Sequence, residues 1–151
     1  MPRVSGRWPG QLRRCASSLM NHDVVVQFAA WVDRALNQKD LSPVVAYNFN
    51  LYEHQNETAV QLVGATFYDS TNEDWACNAY FSSGEDLFKL PHSLTGHDWE
   101  DAQRFAVRLV QRYLQRSTLP GPLKTCHAVA VGFVDGSLET VYLRRGARQI
   151  V

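Results

Sequence analysis

The chain has 151 residues, of which 45% are hydrophobic and 20% charged, and a chain of that size and balance folds around one core instead of remaining disordered. No apolar run approaches the roughly 20 residues that span a bilayer, and Cys15, Cys77 and Cys126, odd in number and widely spaced, form neither a disulfide framework nor a CxxC metal knuckle, which suits a reducing compartment. The formal net charge of zero conceals a segregation: residues 1–22 carry four Arg and no acid, residues 40–101 carry eleven acids against Lys89 alone, and residues 102–151 carry eight bases against Asp135 and Glu139.

Residues 1–19 are rich in Arg, Gly, Pro and Ser and lack a helical or strand period, so they are set apart as a flexible leader or the product of a wrongly chosen start. Met20, immediately before the first periodic segment, favours the second reading. The remaining residues 20–151 are expected to form a single α+β domain.

From Asp23 to about Gln38, the apolar positions Val24, Val25, Phe28, Trp31, Val32, Ala35 and Leu36 recur every three or four residues, predicting an amphipathic helix capped by Asn21 or Asp23. Pro43 ends the break that follows. The run 44–52 alternates, with Val45, Tyr47, Phe49 and Leu51 facing one way and Asn48 and Asn50 the other, predicting a strand with one wet face. Residues 59–68 read as its antiparallel return, with Gly64 marking a bulge or close approach. Residues 75–81 fit a third strand or a helical turn, and residues 87–90 are extended because Pro91 disfavours helical angles before it.

A second helix starts at Thr95 or Asp98 and runs to Arg116. Acids in its first turn and arginines toward its end match the macrodipole, and Ala102, Phe105, Ala106, Leu109, Val110, Tyr113 and Leu114 form its buried stripe. Residues 128–134 and 138–143 flank Asp135-Gly136-Ser137, whose Asp-Gly pair suits the positive backbone angles of a tight hairpin turn. The expected fold is therefore an antiparallel meander sheet of four to five strands with two helices packed on one face.

Three chemistries need weighing. A nucleophilic cysteine needs an adjacent base; Cys77 with His92 or His97, and Cys126 with His127, are the available pairings for a small hydrolase, although Cys77 falls on a predicted apolar strand face, where inert thiols are common. A metal site would draw on His92, His97 and Asp98, which lie in a loop where such residues also serve turns and caps. Neither HExxH, a Walker loop nor GxGxxG is present, and no metal or cofactor is expected. Arg104, Arg108, Arg112 and Arg116 make a stripe that suits nucleic-acid phosphates. The simpler reading is a solvated face with Arg104 paired to Glu100, because residues 20–151 carry eleven bases against fifteen acids. The acidic loops have a different character: Asp69, Glu73, Asp74, Glu85 and Asp86 surround Trp75, Tyr80 and Phe88, a mixture suited to a basic protein surface.

The segments Asn48-Phe49-Asn50-Leu51-Tyr52-Glu53, Asp74-Trp75-Ala76-Cys77, Asp98-Trp99-Glu100 and Gly132-Phe133-Val134-Asp135-Gly136 resemble those of small bacterial immunity proteins, the partners of polymorphic and contact-dependent toxins. The resemblance covers about residues 23–143 and carries over no catalytic residue. It implies a cytoplasmic protein that binds one cognate toxin, often a basic nuclease. The acidic and aromatic loops, read from the residues themselves, give Asp69, Glu73, Asp74, Trp75, Tyr80, Glu85, Asp86 and Phe88 as the expected contact set. Membrane and nucleic acid are not expected partners.

Overall fold

A computed structural model describes residues 21–37, 40–116 and 121–144; the leader expected over residues 1–19 lies outside them. Helix α1 (His22–Leu36) starts where the Asn21 side chain accepts a hydrogen bond from the Asp23 amide at 2.8 Å, satisfying one of the amides that a helix start leaves free. Strands β1 (Ala46–Glu53) and β2 (Glu57–Ala65) pair antiparallel with Tyr47 opposite Gly64 and Asn50 opposite Gln61. A 3-10 helix (Glu73–Cys77) follows, then β3 (Ala79–Ser82) and β4 (Phe88–Pro91). Both short strands share one edge of β2, β3 beside Val63–Ala65 and β4 beside Glu57–Val60. Helices α2 (His92–Thr95), α3 (Trp99–Gln115) and α4 (Pro122–Thr125) lead to β5 (Ala128–Phe133) and β6 (Glu139–Leu143), giving the strand order β3-β2-β1-β5-β6.

The sheet is mixed, which corrects the all-antiparallel meander. β5 runs parallel to β1, from Ala46 opposite Ala128 to Leu51 opposite Phe133, and the long connection between parallel strands carries α3. The residues of β5 explain its place. All six are buried, so the strand needs cover on both faces and a neighbour on both sides. It lies between β1 and β6, the latter antiparallel to it.

Both long helices do pack on one face, as the patterns predict. Phe28, Trp31, Phe105, Leu109 and Val110 meet Tyr47, Phe49, Leu51, Val60, Leu62, Val129 and Val131 in the main core. Phe88 joins Phe28 and Trp31 there, with ring centroids 5.3 and 5.7 Å apart. The opposite face is not simply wet. Its positions Ala46, Ala65, Ala128 and Ala130 are small and leave room for the loop after β2 to fold back, so that Tyr68 and Trp75 lie on them in a second core, their rings 5.3 Å apart.

Gly64 has the role its position suggested. Pairing slips between Gly64 and Ala65, and a Cβ added at Gly64 would lie 2.8 Å from Val44 Cγ1. Three local expectations need correction. The 75–81 segment, open between a strand and a helical turn, is not one or the other throughout: it holds the end of the 3-10 helix and then β3, because Trp75 turns inward over the alanines. The β5–β6 connection is wider than a tight Asp-Gly turn, with residues 134–138 between the strands; the Gly136 amide donates to the Phe133 carbonyl at 2.9 Å, and Gly136 is not among the positive-φ glycines, which are Gly84 and Gly96 among the described residues. Arg104 pairs with Asp101, at 2.8 Å, and not with Glu100, since three residues along a helix bring two side chains onto one face just as four do.

Candidate functional site

The outer face of the sheet carries a polar strip between apolar borders. Alternation along β1 projects Asn48, Asn50 and Tyr52 outward, and the register sets Gln61 and Val63 of β2 beside them. Their neighbours on β5 are Ala130 and Gly132, whose side chains offer the amides no hydrogen-bond partner. Gly132 also sets one wall: a Cβ there would lie 2.7 Å from the Ser137 carbonyl, so glycine is what lets the β5–β6 loop fold back over the sheet. The Leu138 amide donates to Glu73 Oε2 at 3.2 Å, tying that loop to the 3-10 helix.

Two depressions result. The smaller, of about 480 Å3, has Asn48 and Asn50 in its floor and Glu73, Asp74, Cys77 and Val134 among its walls. The larger, of about 1120 Å3, opens at the carboxyl ends of β1 and β5, where Glu53, Glu85, Lys89, Trp99 and Asp135 line it. The carboxyl end of parallel strands is where α/β sheets commonly place ligands. Gln61, Phe133, Val134 and Gly136 border both depressions, so the two adjoin and together make up a trough.

The side-chain amides in the floor form a chain. Gln61 Nε2 donates to the Gly84 carbonyl at 3.0 Å, while Gln61 Oε1 accepts from Tyr52 Oη at 2.8 Å and from Asn50 Nδ2 at 3.4 Å. Asn50 Oδ1 accepts from Asn48 Nδ2. Above this floor the charge is one-sided: Glu53, Glu73, Asp74, Glu85 and Asp135 line the trough against Lys89. Trp99 and Val134, each 54% exposed, stand at its rim.

The structure gathers only part of the sequence-predicted contact set. Glu73, Asp74 and Glu85 line the trough, and Tyr80 is exposed on β3 without being among the trough's lining residues. Asp69 is turned into its own loop, accepting from the Thr71 amide and hydroxyl at 2.8 and 2.6 Å; those bonds hold its carboxyl below the usual carboxylate range. Asp86 belongs to the helix side, where Arg34 pairs with it at 3.2 Å and the Trp31 indole donates to its carbonyl at 2.9 Å. Trp75 is buried, and Phe88 packs into the main core. Asn48, Asn50, Gln61, Trp99 and Asp135 were missed. The Asn-x-Asn-x-Tyr alternation beside a glycine-bearing strand was the available signal for the first two.

Other constellations are not assembled. Cys77 precedes β3, which meets β2 at Ala65, and His92 follows β4, which meets it at Glu57; eight strand residues separate those points by roughly 26 Å. Cys126 is buried, and burial pushes its thiol up to about 12. His92 and His97 have ring centroids 5.8 Å apart, and His92 faces Glu53 at 3.9 Å, but among the described residues no three His, Cys, Asp or Glu side chains could hold a metal ion. Of the arginine stripe, Arg104 is paired with Asp101 and Arg116 with Asp33 at 2.6 Å, above the Tyr113 ring. No helix among the described residues is long and apolar enough to cross a membrane. Comparison with protein-family models, with curated proteins and with solved structures finds no match.

Proposed function

We propose that this chain is a protein-binding domain that neutralises a cognate bacterial toxin by receiving a basic surface of it in the outer trough. One observation carries the reading: five carboxylates converge on a groove that holds a single lysine, and exposed Trp99 and Val134 lie beside them. Such a surface divides its work. Carboxylates steer and select a cationic partner, whereas the buried area of the aromatic and aliphatic side chains supplies most of the contact energy. The resemblance to immunity proteins gives the partner its kind, and the negative trough gives it its charge.

The test is co-expression with the product of the adjacent reading frame. The expected result is a stable complex that loses affinity as salt rises and suppresses the toxicity of that product. In the double variant Glu73→Lys/Asp74→Lys, binding should weaken at least tenfold. Absence of a complex, or a complex indifferent to both salt and the double variant, overturns the proposal.

A further inference from the structure

The amide chain in the trough has a direction, and one fixed group sets it. The Gly84 carbonyl only accepts, so the end of Gln61 that meets it at 3.0 Å is Nε2, and Oε1 must point back toward Tyr52 and Asn50. Asn50 therefore offers Nδ2 to Gln61 and Oδ1 to Asn48, which donates its own Nδ2. Amide orientations that are ambiguous singly are decided by such a network. Every link donates toward Gly84, so the far end of the chain is an acceptor. That acceptor is Asn48 Oδ1, which has no donor among the described residues although Asn48 has no exposed surface. Flipping the Asn48 amide would not relieve it, since two oxygens would then face each other.

Asn48 belongs to the lining of the smaller depression, whose charged lining residues are Glu73 and Asp74 with no Lys or Arg. A ligand suited to the site must donate hydrogen bonds and carry positive charge. It must also rest on apolar walls, here Val63, Val134 and Leu138. We infer that the smaller depression receives an arginine side chain, whose guanidinium donates to Asn48 Oδ1 and to the Glu73 and Asp74 carboxylates. A planar fork of five donors suits several acceptors spread around one pocket, and its weakly hydrated faces tolerate apolar contact better than an ammonium does. The inference rests on the reading of the trough as the surface for a basic protein, and it names the side chain recognised there.

The experiment titrates the full chain with N-acetyl-arginine amide, with the lysine and citrulline analogues alongside, and follows the side-chain amide resonances of Asn48, Asn50 and Gln61. The arginine probe should shift all three and bind at least tenfold more tightly than lysine, while citrulline should shift none. Asp74→Asn, at an exposed position, and Asn48→Leu should each weaken the arginine probe by about tenfold or more, the effect of losing one charge-assisted hydrogen bond. Asn48→Leu should also leave the melting temperature nearly unchanged, because removal of an acceptor that the fold leaves unsatisfied offsets loss of the bond that Asn48 Nδ2 donates to Asn50; an asparagine serving only the fold would show a clearly lowered melting temperature and unchanged probe binding. Equal binding of lysine, or no shift with arginine, overturns the inference. If the adjacent-frame product still binds in a charge-dependent way while the arginine probe does not, this pocket fails and the toxin-neutralising reading stands; arginine binding without any such complex sinks that reading and leaves the pocket.

Discussion

Cys126 and Cys77 show how burial decides the chemistry of one residue type. Cys126 lies between the Leu123 and Ala128 carbonyls, with Sγ 3.5 and 3.4 Å from them, and loss of solvent raises its thiol from 9.0 to about 12. Burial also raises the phenol of Tyr47, with the nearby Cys126 adding to it, and that of Tyr113, which donates to Asp33 at 2.6 Å. The sign follows from linkage: all three are held neutral by the fold and ionise more readily when unfolded. Their contribution is complete below the unfolded values and is lost as pH rises toward the folded ones, by up to about 1.4 kcal/mol per pH unit for each group. The melting temperature should thus hold up to about pH 8.5 and fall steadily from pH 9 toward 12, with a shallower fall in Cys126→Ala. Cys77, exposed at the trough wall, should alkylate with iodoacetamide at pH 8 while Cys126 does not. Peptide mass spectrometry separates the two, and equal labelling would show that Cys126 is not enclosed.

At the scale of elements, the loop carrying Tyr68 and Trp75 turns a two-layer fold into one with a covered outer face. Trp75 is 3% exposed and holds the 3-10 helix on Ala46, Ala65, Ala128 and Ala130. Trp75→Ala should cost about 3–5 kcal/mol by calorimetry, the usual loss for a buried large aromatic. It should also speed hydrogen exchange at the Leu138 amide, which depends on Glu73 staying in place; a loss below about 1 kcal/mol would mean that the loop is not anchored by this ring. The same loop marks where sequence reading stops. The two long helices, β1, β2 and the β5–β6 pairing were legible because a long helix or a hairpin announces itself by local period, whereas the single-turn helices His92–Thr95 and Pro122–Thr125, the first of them read as loop, are too short to show one. The parallel pairing of β1 with β5 was not legible, since no residue within β5 records which strand lies beside it. Residues 75–81 fit two periods, and only the distant alanines decide between them. The site was legible to a similar depth. Glu73, Asp74 and Glu85 reach the trough, but Arg34 draws Asp86 to the other side, Trp75 is consumed by the fold, and Trp99, read as the start of a helix, becomes the exposed aromatic.

Over the whole molecule, carboxylates divide into those paired with arginines and those facing the trough. Asp33, Asp86 and Asp101 are paired with Arg116, Arg34 and Arg104 on the helices and their connections, whereas Glu53, Glu85 and Asp135 line the groove beside Lys89 alone. Only the second set projects a net field toward an approaching cation, so the two sets should separate in kinetics. With a basic partner protein, Glu85→Lys/Asp135→Lys should slow association by about tenfold or more at low salt, an effect that fades as ionic strength shortens the screening length to about 8 Å. Asp86→Asn should leave the association rate unchanged and cost only about 0–1 kcal/mol of stability, as exposed ion pairs do. Trp99→Ala should act on dissociation instead, weakening the complex by about 2 kcal/mol or more, because an exposed aromatic contributes after contact and not before it. Stopped-flow association across a salt series reads all three. If Asp86→Asn slows association as much as the double reversal, the partner approaches from the helix side, and the trough is not where it docks.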